Sequence, residues 1–491
     1  MTTTSVLAGE RLDGPPTPAV AASAGWPRWA PRSEWLVIGA LGLFGFVLGA
    51  RAIGDNSMFV HLRTGADIAR TGAIPRTDPY SFTALGHGWV VQSWLAEWTY
   101  GWAQRLGGLH LVIVEQAVLM GTLAVLVTLL ARAGSAPRTA VAGCLAVGVG
   151  AAWWAPRPLL FGLVALALVV LVVERRRSPW WLVPIMWVWV SSHGSFPLAV
   201  VWVALRGLGE AVDRGGWPAQ SARYTLGMAA GLVAAAANPL GPKLLTFPFT
   251  LGSKRDVFRT IVEWRSPNFQ TVGGIVTLTA VVLVVVLLSR RAMTWADSLP
   301  VVGFLALGLV AQRNLPLAAI VMAPALARAL DVEAGAMVQP STVASTRNVV
   351  LGVMLVLLMA VTTASVFSGP ALDLRSYPVS AVQFLDRTGL RAGPHRVAEE
   401  DTVGCYLDLR YGPSARVFID DRYDTFPLRV SEDSVDLVGG KADSLAILDR
   451  RKIDVVLWEK TLPLVSILQA TGAWSTVFDQ GNWVVMRRPA V

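Results

Sequence analysis

Asp55, His61 and Arg63 place an acid, an imidazole and a guanidinium within nine residues, directly after an apolar run. An acid and a histidine so spaced can take a proton from a bound hydroxyl, and an arginine beside them can hold an anion. Asp55 also stands where it can N-cap the amphipathic helix that follows, and spacing alone leaves cap and base both open. The same loop continues through Ile74-Pro75-Arg76-Thr77-Asp78-Pro79-Tyr80-Ser81-Phe82-Thr83. Glu97 then falls on a stretch where Trp89, Trp94, Trp98 and Trp102 come at near-helical spacing, the pattern of an aromatic helix anchored in a headgroup layer.

More candidates lie downstream. His193, in Ser191-Ser192-His193-Gly194, reads as either a hydrogen-bonded structural residue or a site residue at the end of a span. Arg157 and Arg313 are single arginines at the ends of apolar runs, placed to reach lipid phosphate or to point inward at a bound anion. The loop after Asn238-Pro239 carries Lys243, Lys254, Arg255, Arg259, Glu263 and Arg265. Guanidinium groups bind phosphate bidentately, so this loop fits a headgroup rim or a clamp for a lipid-linked phosphate or diphosphate. Near the end, Asp420-Asp421-Arg422-Tyr423-Asp424 puts three acids and an arginine where a strand should end. Ligand sites favour that location, although a solvated turn bridged by Arg422 fits equally. The acids lack regular ligand spacing, so no metal residues are assigned and a divalent metal stays an open cofactor. Two cysteines, Cys144 and Cys405, provide neither a disulfide framework nor a thiolate metal site.

The elements that must position these groups follow from composition. The chain has 491 residues, 54% hydrophobic and only 15% charged. That apolar load cannot be hidden in soluble cores beneath a solvated exterior, so the fold class is an α-helical polytopic membrane protein. Apolar runs at 35–50, 109–131, 139–155, 158–173, 180–192, 196–212, 224–237, 273–289, 298–311, 315–330 and 349–367 give about eleven transmembrane helices. Arg132, Arg138, Arg175-Arg176-Arg177 and Arg290-Arg291 alternate onto one side, which the positive-inside rule makes cytoplasmic. The expected organisation is a disordered cytoplasmic arm (1–34), a transmembrane domain (35–369) with outer loops 54–108 and 240–272, and an extracytoplasmic α/β domain (370–491). That last region carries 15 Lys and Arg against 17 Asp and Glu, so the net +9 of the chain becomes +11 on the membrane part and −2 here. Its expected strands are 396–399, 405–409, 415–420, 454–459 and 483–487, with helices at 379–387, 431–450 and 464–470. The basic excess reads as loop anchoring, and nucleic-acid binding is set aside.

These residues together resemble the GT-C superfamily of integral-membrane glycosyltransferases, and more closely a bacterial, polyprenyl-phosphate-sugar-dependent, largely uncharacterised subgroup. The likeness rests on Asp55, His61-Leu62, Thr64-Gly65, Pro75, Asp78-Pro79, Ser81, Thr83 and Trp94-Leu95-x-Glu97. Further along it rests on His193-Gly194, Asn238-Pro239, Glu263-Trp264, Ser266-Pro267, Arg313-Asn314 and Phe418-Ile419-Asp420-x-Arg422. It runs from Asp55 to the C-terminus. Members often carry a second acid two residues after the first. Ser57 stands there in this chain, a departure from the pattern that a paired-carboxylate or metal-dependent mechanism would use. The resemblance implies transfer of a hexosyl or pentosyl group from a polyprenyl-phosphate carrier to an envelope glycan, lipid or protein at the outer face of the cell membrane. Asp55 and His61 would be catalytic, with Arg63, Asp78, Glu97, Arg157, His193, Lys243, Glu263, Arg265 and Arg313 binding substrate. A transporter or flippase of a lipid-linked intermediate is the alternative, for which Glu115, Arg206 and the broken Ser191–Pro197 region are the available polar groups. A non-enzymatic envelope-assembly protein is the third.

Overall fold

The computed structural model describes residues 31–250, 254, 257, 262–289, 293–333 and 346–488. The N-terminal arm up to residue 30, Arg255, Arg259 and the Arg290-Arg291 pair lie outside these.

Each apolar run lies on a helix. The bundle comprises α1 (Ser33–Gly49), α2 (Asn56–Thr71), α3 (Trp94–Leu130), α4 (Ala136–Ala151), α5 (Leu159–Glu174), α6 (Leu182–Ser192) and α7 (Pro197–Arg214). It continues with α8 (Ala219–Ala235), α9 (Lys243–Thr250), α10 (Val272–Ser289), α11 (Trp295–Val310), α12 (Leu315–Glu333) and α13 (Thr346–Ser368). Helices such as α5 are apolar on every side, as expected of segments surrounded by other helices or lipid. Among the described residues three stretches, Trp94–Leu130, Gln312–Asp331 and Thr346–Ser368, are long and apolar enough to cross a membrane by length and composition. The aromatic helix and the first long span form one element, α3, broken at Gly107 and Gly108, where Gly108 takes φ +67°. The break lets the tryptophan-rich half turn away from the apolar half.

The C-terminal part is α/β, with corrections to its expected layout. Its helices are α14 (Val379–Thr388), α15 (Asp401–Tyr411), α16 (Leu428–Val438), α17 (Ser444–Arg451) and α18 (Pro463–Ala470). Strands β1 (Val397–Ala398), β2 (Val455–Glu459), β3 (Ser475–Gln480) and β4 (Trp483–Arg487) form one sheet in the order β1-β2-β4-β3. β1 runs parallel to β2, and β4 pairs antiparallel with both β2 and β3. The expected strand 405–409 is instead the middle of α15, and the expected helix 431–450 is two helices parted at Gly439-Gly440. Residues 415–420 form no sheet strand, but Val417 makes a parallel bridge to Ser81.

That bridge shows how the two parts are joined. Phe82 N donates to Val417 O at 3.0 Å, Val417 N to Tyr80 O at 3.2 Å, and Thr83 Oγ1 to Phe418 O at 2.6 Å. Buried Asp78 shapes the receiving loop by accepting from Tyr80 N, Ser81 N and Ser81 Oγ. One hydrophobic core runs through both parts. Met58, Phe59 and Leu62 of α2 pack with Val382 and Leu385 of α14, Tyr406 of α15 and Val455 of β2.

Candidate active site

Close helix approach sets the first group. A Cβ on Gly65 would lie 2.2 Å from the Glu97 carbonyl oxygen, and one on Gly101 would lie 2.0 Å from that of Gly65. Only glycines permit this crossing of α2 and α3. It puts His61, one turn earlier on α2, against Glu97, with Nδ1 2.7 Å from Oε1. Glu97 is 2% exposed, so its carboxylate fixes the ring and leaves Nε2 facing outward.

Asp55 does cap α2, accepting from Met58 N at 3.2 Å. Both its oxygens also accept from Arg157 Nε, at 2.8 and 2.9 Å. Arg157 Nη1 in turn donates to Glu263. Burial works against the Arg157 charge, but Asp55, Glu263 and Asp421 outweigh it and hold the guanidinium above its ordinary value.

Asp421 comes from the C-terminal part. Its carboxylate accepts from the Ser57 hydroxyl, and its N–H donates to Cys405 Sγ at 3.3 Å. The segment can approach α15 this closely because residue 404 is glycine; a Cβ there would meet Ile419 O at 1.9 Å. Burial, opposed by Arg157 and reinforced by Asp401, pushes the Asp421 carboxyl up to about 7. Beside it, Arg422 is buried in a bidentate pair with Asp420, donates to Asp78 at 2.7 Å, and stacks over Tyr80 and Trp89. Lys254 Nζ pins the next turn through the carbonyls of Tyr423, Asp424 and Phe426.

Three further groups complete the cluster. His193 Nδ1 is 2.8 Å from Ser195 Oγ and accepts from Ser195 N at 3.2 Å, which leaves the proton of a neutral ring on Nε2. Burial, with Arg313 and His61 nearby, lowers its pKa to about 3, so it stays neutral. Glu263 lies in a 3₁₀ turn with Trp264. Arg313 sits with its guanidinium 4.3 Å above the Trp264 ring and makes no hydrogen bond or ion pair among the described residues.

These side chains surround a cavity of about 180 Å³, lined from α2 by Ser57 and His61, from the loops by Arg157, His193, Glu263, Trp264 and Arg313, and from the C-terminal part by Asp421, Arg422 and Asp424. Asp55 stands behind Arg157 and does not line it. Glu97 reaches the cavity wall only by its contact with His61, and Asp78 by its contact with Arg422. The remaining expected site residues are elsewhere: Arg63 pairs with Asp67, while Lys243 and Arg265 are exposed and off the cavity wall. Asp421 was not among the expected site residues; the acid-rich run 420–424 was its only sequence signal. Among the described residues no cluster of His, Cys, Asp or Glu is arranged to hold a metal ion.

The apo crystal structure of the Archaeoglobus fulgidus oligosaccharyltransferase is similar over 88% of this chain and 70% of its own, at 11% identity and a TM-score of 0.50. A second structure, the archaeal oligosaccharyltransferase AglB from Archaeoglobus fulgidus with an inhibitory peptide and a dolichol-phosphate, aligns over 87% of this chain and 69% of its own, at 11% identity and a TM-score of 0.48. No protein-family model and no curated protein matches the sequence. The first likeness is one of fold.

Proposed function

We propose that this chain is a membrane glycosyltransferase that moves a sugar from a polyprenyl-phosphate carrier to an envelope acceptor at the outer face of the cytoplasmic membrane. About eleven helices would span the bilayer, with the cavity and the C-terminal part outside. The observation that carries this reading is Arg313, a guanidinium with no hydrogen-bond acceptor among the described residues, in one cavity with the Asp421 carboxyl. A cation so placed suits the carrier phosphate. A fold shared with an oligosaccharyltransferase supports glycosyl transfer. Transport fits less well, because Arg206 is locked to Glu174, Glu210 and Asp297.

In this reading the acceptor hydroxyl attacks the anomeric carbon. The bond from that carbon to the phosphate oxygen breaks, and its electron pair leaves with the polyprenyl phosphate. Arg313, backed by Arg157, stabilises the charge gathering on the phosphate. The acceptor's proton passes to the Asp421 carboxylate. Asp55, the base expected from sequence, is already committed to Arg157 and the α2 cap, so it positions Arg157 instead. Ser57 occupies the place of the second acid found in similar proteins, and its hydroxyl holds the carboxylate that the C-terminal part brings there. His61 and His193 present Nε2 to orient donor or acceptor.

The test is transfer from radiolabelled polyprenyl-phosphate hexose or pentose by protein reconstituted in vesicles. Asp421→Asn and Arg313→Ala should each lower transfer by about 10²-fold or more. Full transfer in both variants overturns the reading.

A further inference from the structure

A second, larger hollow of about 820 Å³ opens between α3, α5 and α6. Its origin lies in helix length. The 11 residues of α6 rise only about 17 Å, against about 30 Å of hydrocarbon in a bilayer. One face of α5 is therefore left partly uncovered: Phe161, Val164, Leu168, Leu171 and Arg175 follow one another at helical spacing along the wall. From α6, Ile185 and Val188 face them.

One end of this apolar groove is cationic. Arg132, Arg175 and Arg177 line it, and no acid does. Arg132 is held by Glu34, and Arg175 Nη2 donates to Leu129 O at 3.0 Å, so both guanidiniums are fixed in place with further N–H groups to offer. Arg177 is exposed, and its side chain makes no hydrogen bond or ion pair among the described residues. Trp181 closes the same end, and beside it Trp180 is exposed, as aromatic anchors at a membrane interface are.

We propose that this groove binds one anionic glycerophospholipid, with its phosphate on Arg132, Arg175 and Arg177 and an acyl chain along the exposed face of α5. The charge of the rim selects an anionic headgroup, and the apolar wall accepts the chain. From Phe161 to Arg175 the wall is about 21 Å long, enough for the roughly 15 Å hydrocarbon depth of one leaflet. The occupant is distinct from any glycosyl carrier. Leu159, which lines the small cavity, lies 16 residues, about 24 Å, up α5 from Arg175. A lipid whose phosphate rests on these arginines cannot also present one there.

Native mass spectrometry of the full chain in detergent, titrated separately with phosphatidylglycerol, phosphatidylcholine and undecaprenyl phosphate, tests this. One phosphatidylglycerol should be retained in preference to phosphatidylcholine. Arg175→Gln with Arg177→Gln should weaken its retention about 30-fold, leaving phosphatidylcholine unchanged. Leu168→Trp, which fills the wall without touching the cations, should expel the lipid. Equal retention of the two phospholipids, no change in either variant, or a preference for undecaprenyl phosphate would overturn the assignment. Because the readout is lipid retention, loss of glycosyl transfer has no bearing on it.

Discussion

Both ends of α5 carry an arginine–carboxylate cluster, and the two are built differently. At its C-terminal end Glu174 meets Arg206 and Arg328, which also share Asp297, while Glu210 adds a third acid to Arg206. Each arginine there has at least two acids and each acid at least one arginine, so the network is closed and ties α5, α7, α11 and α12 together. At the N-terminal end Arg157 is paired with Asp55 and Glu263, but Arg313 rests on an indole with no acceptor among the described residues, and Asp421 holds its proton up to about neutral pH. Buried ion pairs cost desolvation, and a cluster left open retains that cost unless a ligand offsets it. The closed cluster reads as a fastener. The open one reads as a site.

The largest expected effect separates them by function. Asp421→Asn should lower transfer by about 10²–10⁴-fold with little change in melting temperature. The pH profile has a definite sign. In the proposed transfer the deprotonated carboxylate is the proton acceptor, and burial raises its pKa to about 7, so transfer in the wild type should fall as pH drops below 7 and level off above it. A profile flat from pH 5 to 9 would remove Asp421 from the proton transfer.

At the closed end the effect should be on stability. Arg206→Ala leaves Glu174 and Asp297 to share Arg328 alone and should cost about 3–5 kcal/mol, read as a fall in unfolding midpoint. The fraction that stays folded should keep its KM. A raised KM would break the comparison. Gly65→Ala comes next. Its methyl group would collide with the Glu97 carbonyl and should cost about 1–3 kcal/mol, with reduced transfer as His61 loses its register on Glu97. Lys243→Gln should be the weakest change, within about 0.5 kcal/mol and silent in transfer, since the side chain is exposed and off the cavity.

Much of the fold was readable because the signals were local. Continuous apolar runs became helices, and the short apolar run Trp483–Arg487 became β4 at its expected limits. α15 does not read as a helix from sequence because Val403 to Asp408 are all buried, which erases the one-sided pattern that marks a surface helix. β3 was missed for the opposite reason: it is a largely exposed, polar strand at the sheet edge. In the site, Arg157, Glu263, His61, His193 and Arg313 line one cavity, with Asp55 and Glu97 one contact behind it. What stayed hidden were pairings across long separations. Ser57 and Asp421 are 364 positions apart, and no spacing rule links them. The loop motif around Asp78 proved to be the socket for residues 417–422, a role invisible until both halves are seen together.

The central claim is that the cluster at the N-terminal end of α5 is an open anion site, and that the one at the C-terminal end is not. Binding of undecaprenyl phosphate to the full chain in nanodiscs tests it, with Arg313→Ala compared against Arg328→Ala. The loss of a charged hydrogen bond at Arg313 should weaken binding about 10- to 150-fold, while Arg328→Ala stays within about 2-fold of wild type. Equal weakening by the two variants, or an affinity indifferent to Arg313, would contradict the account.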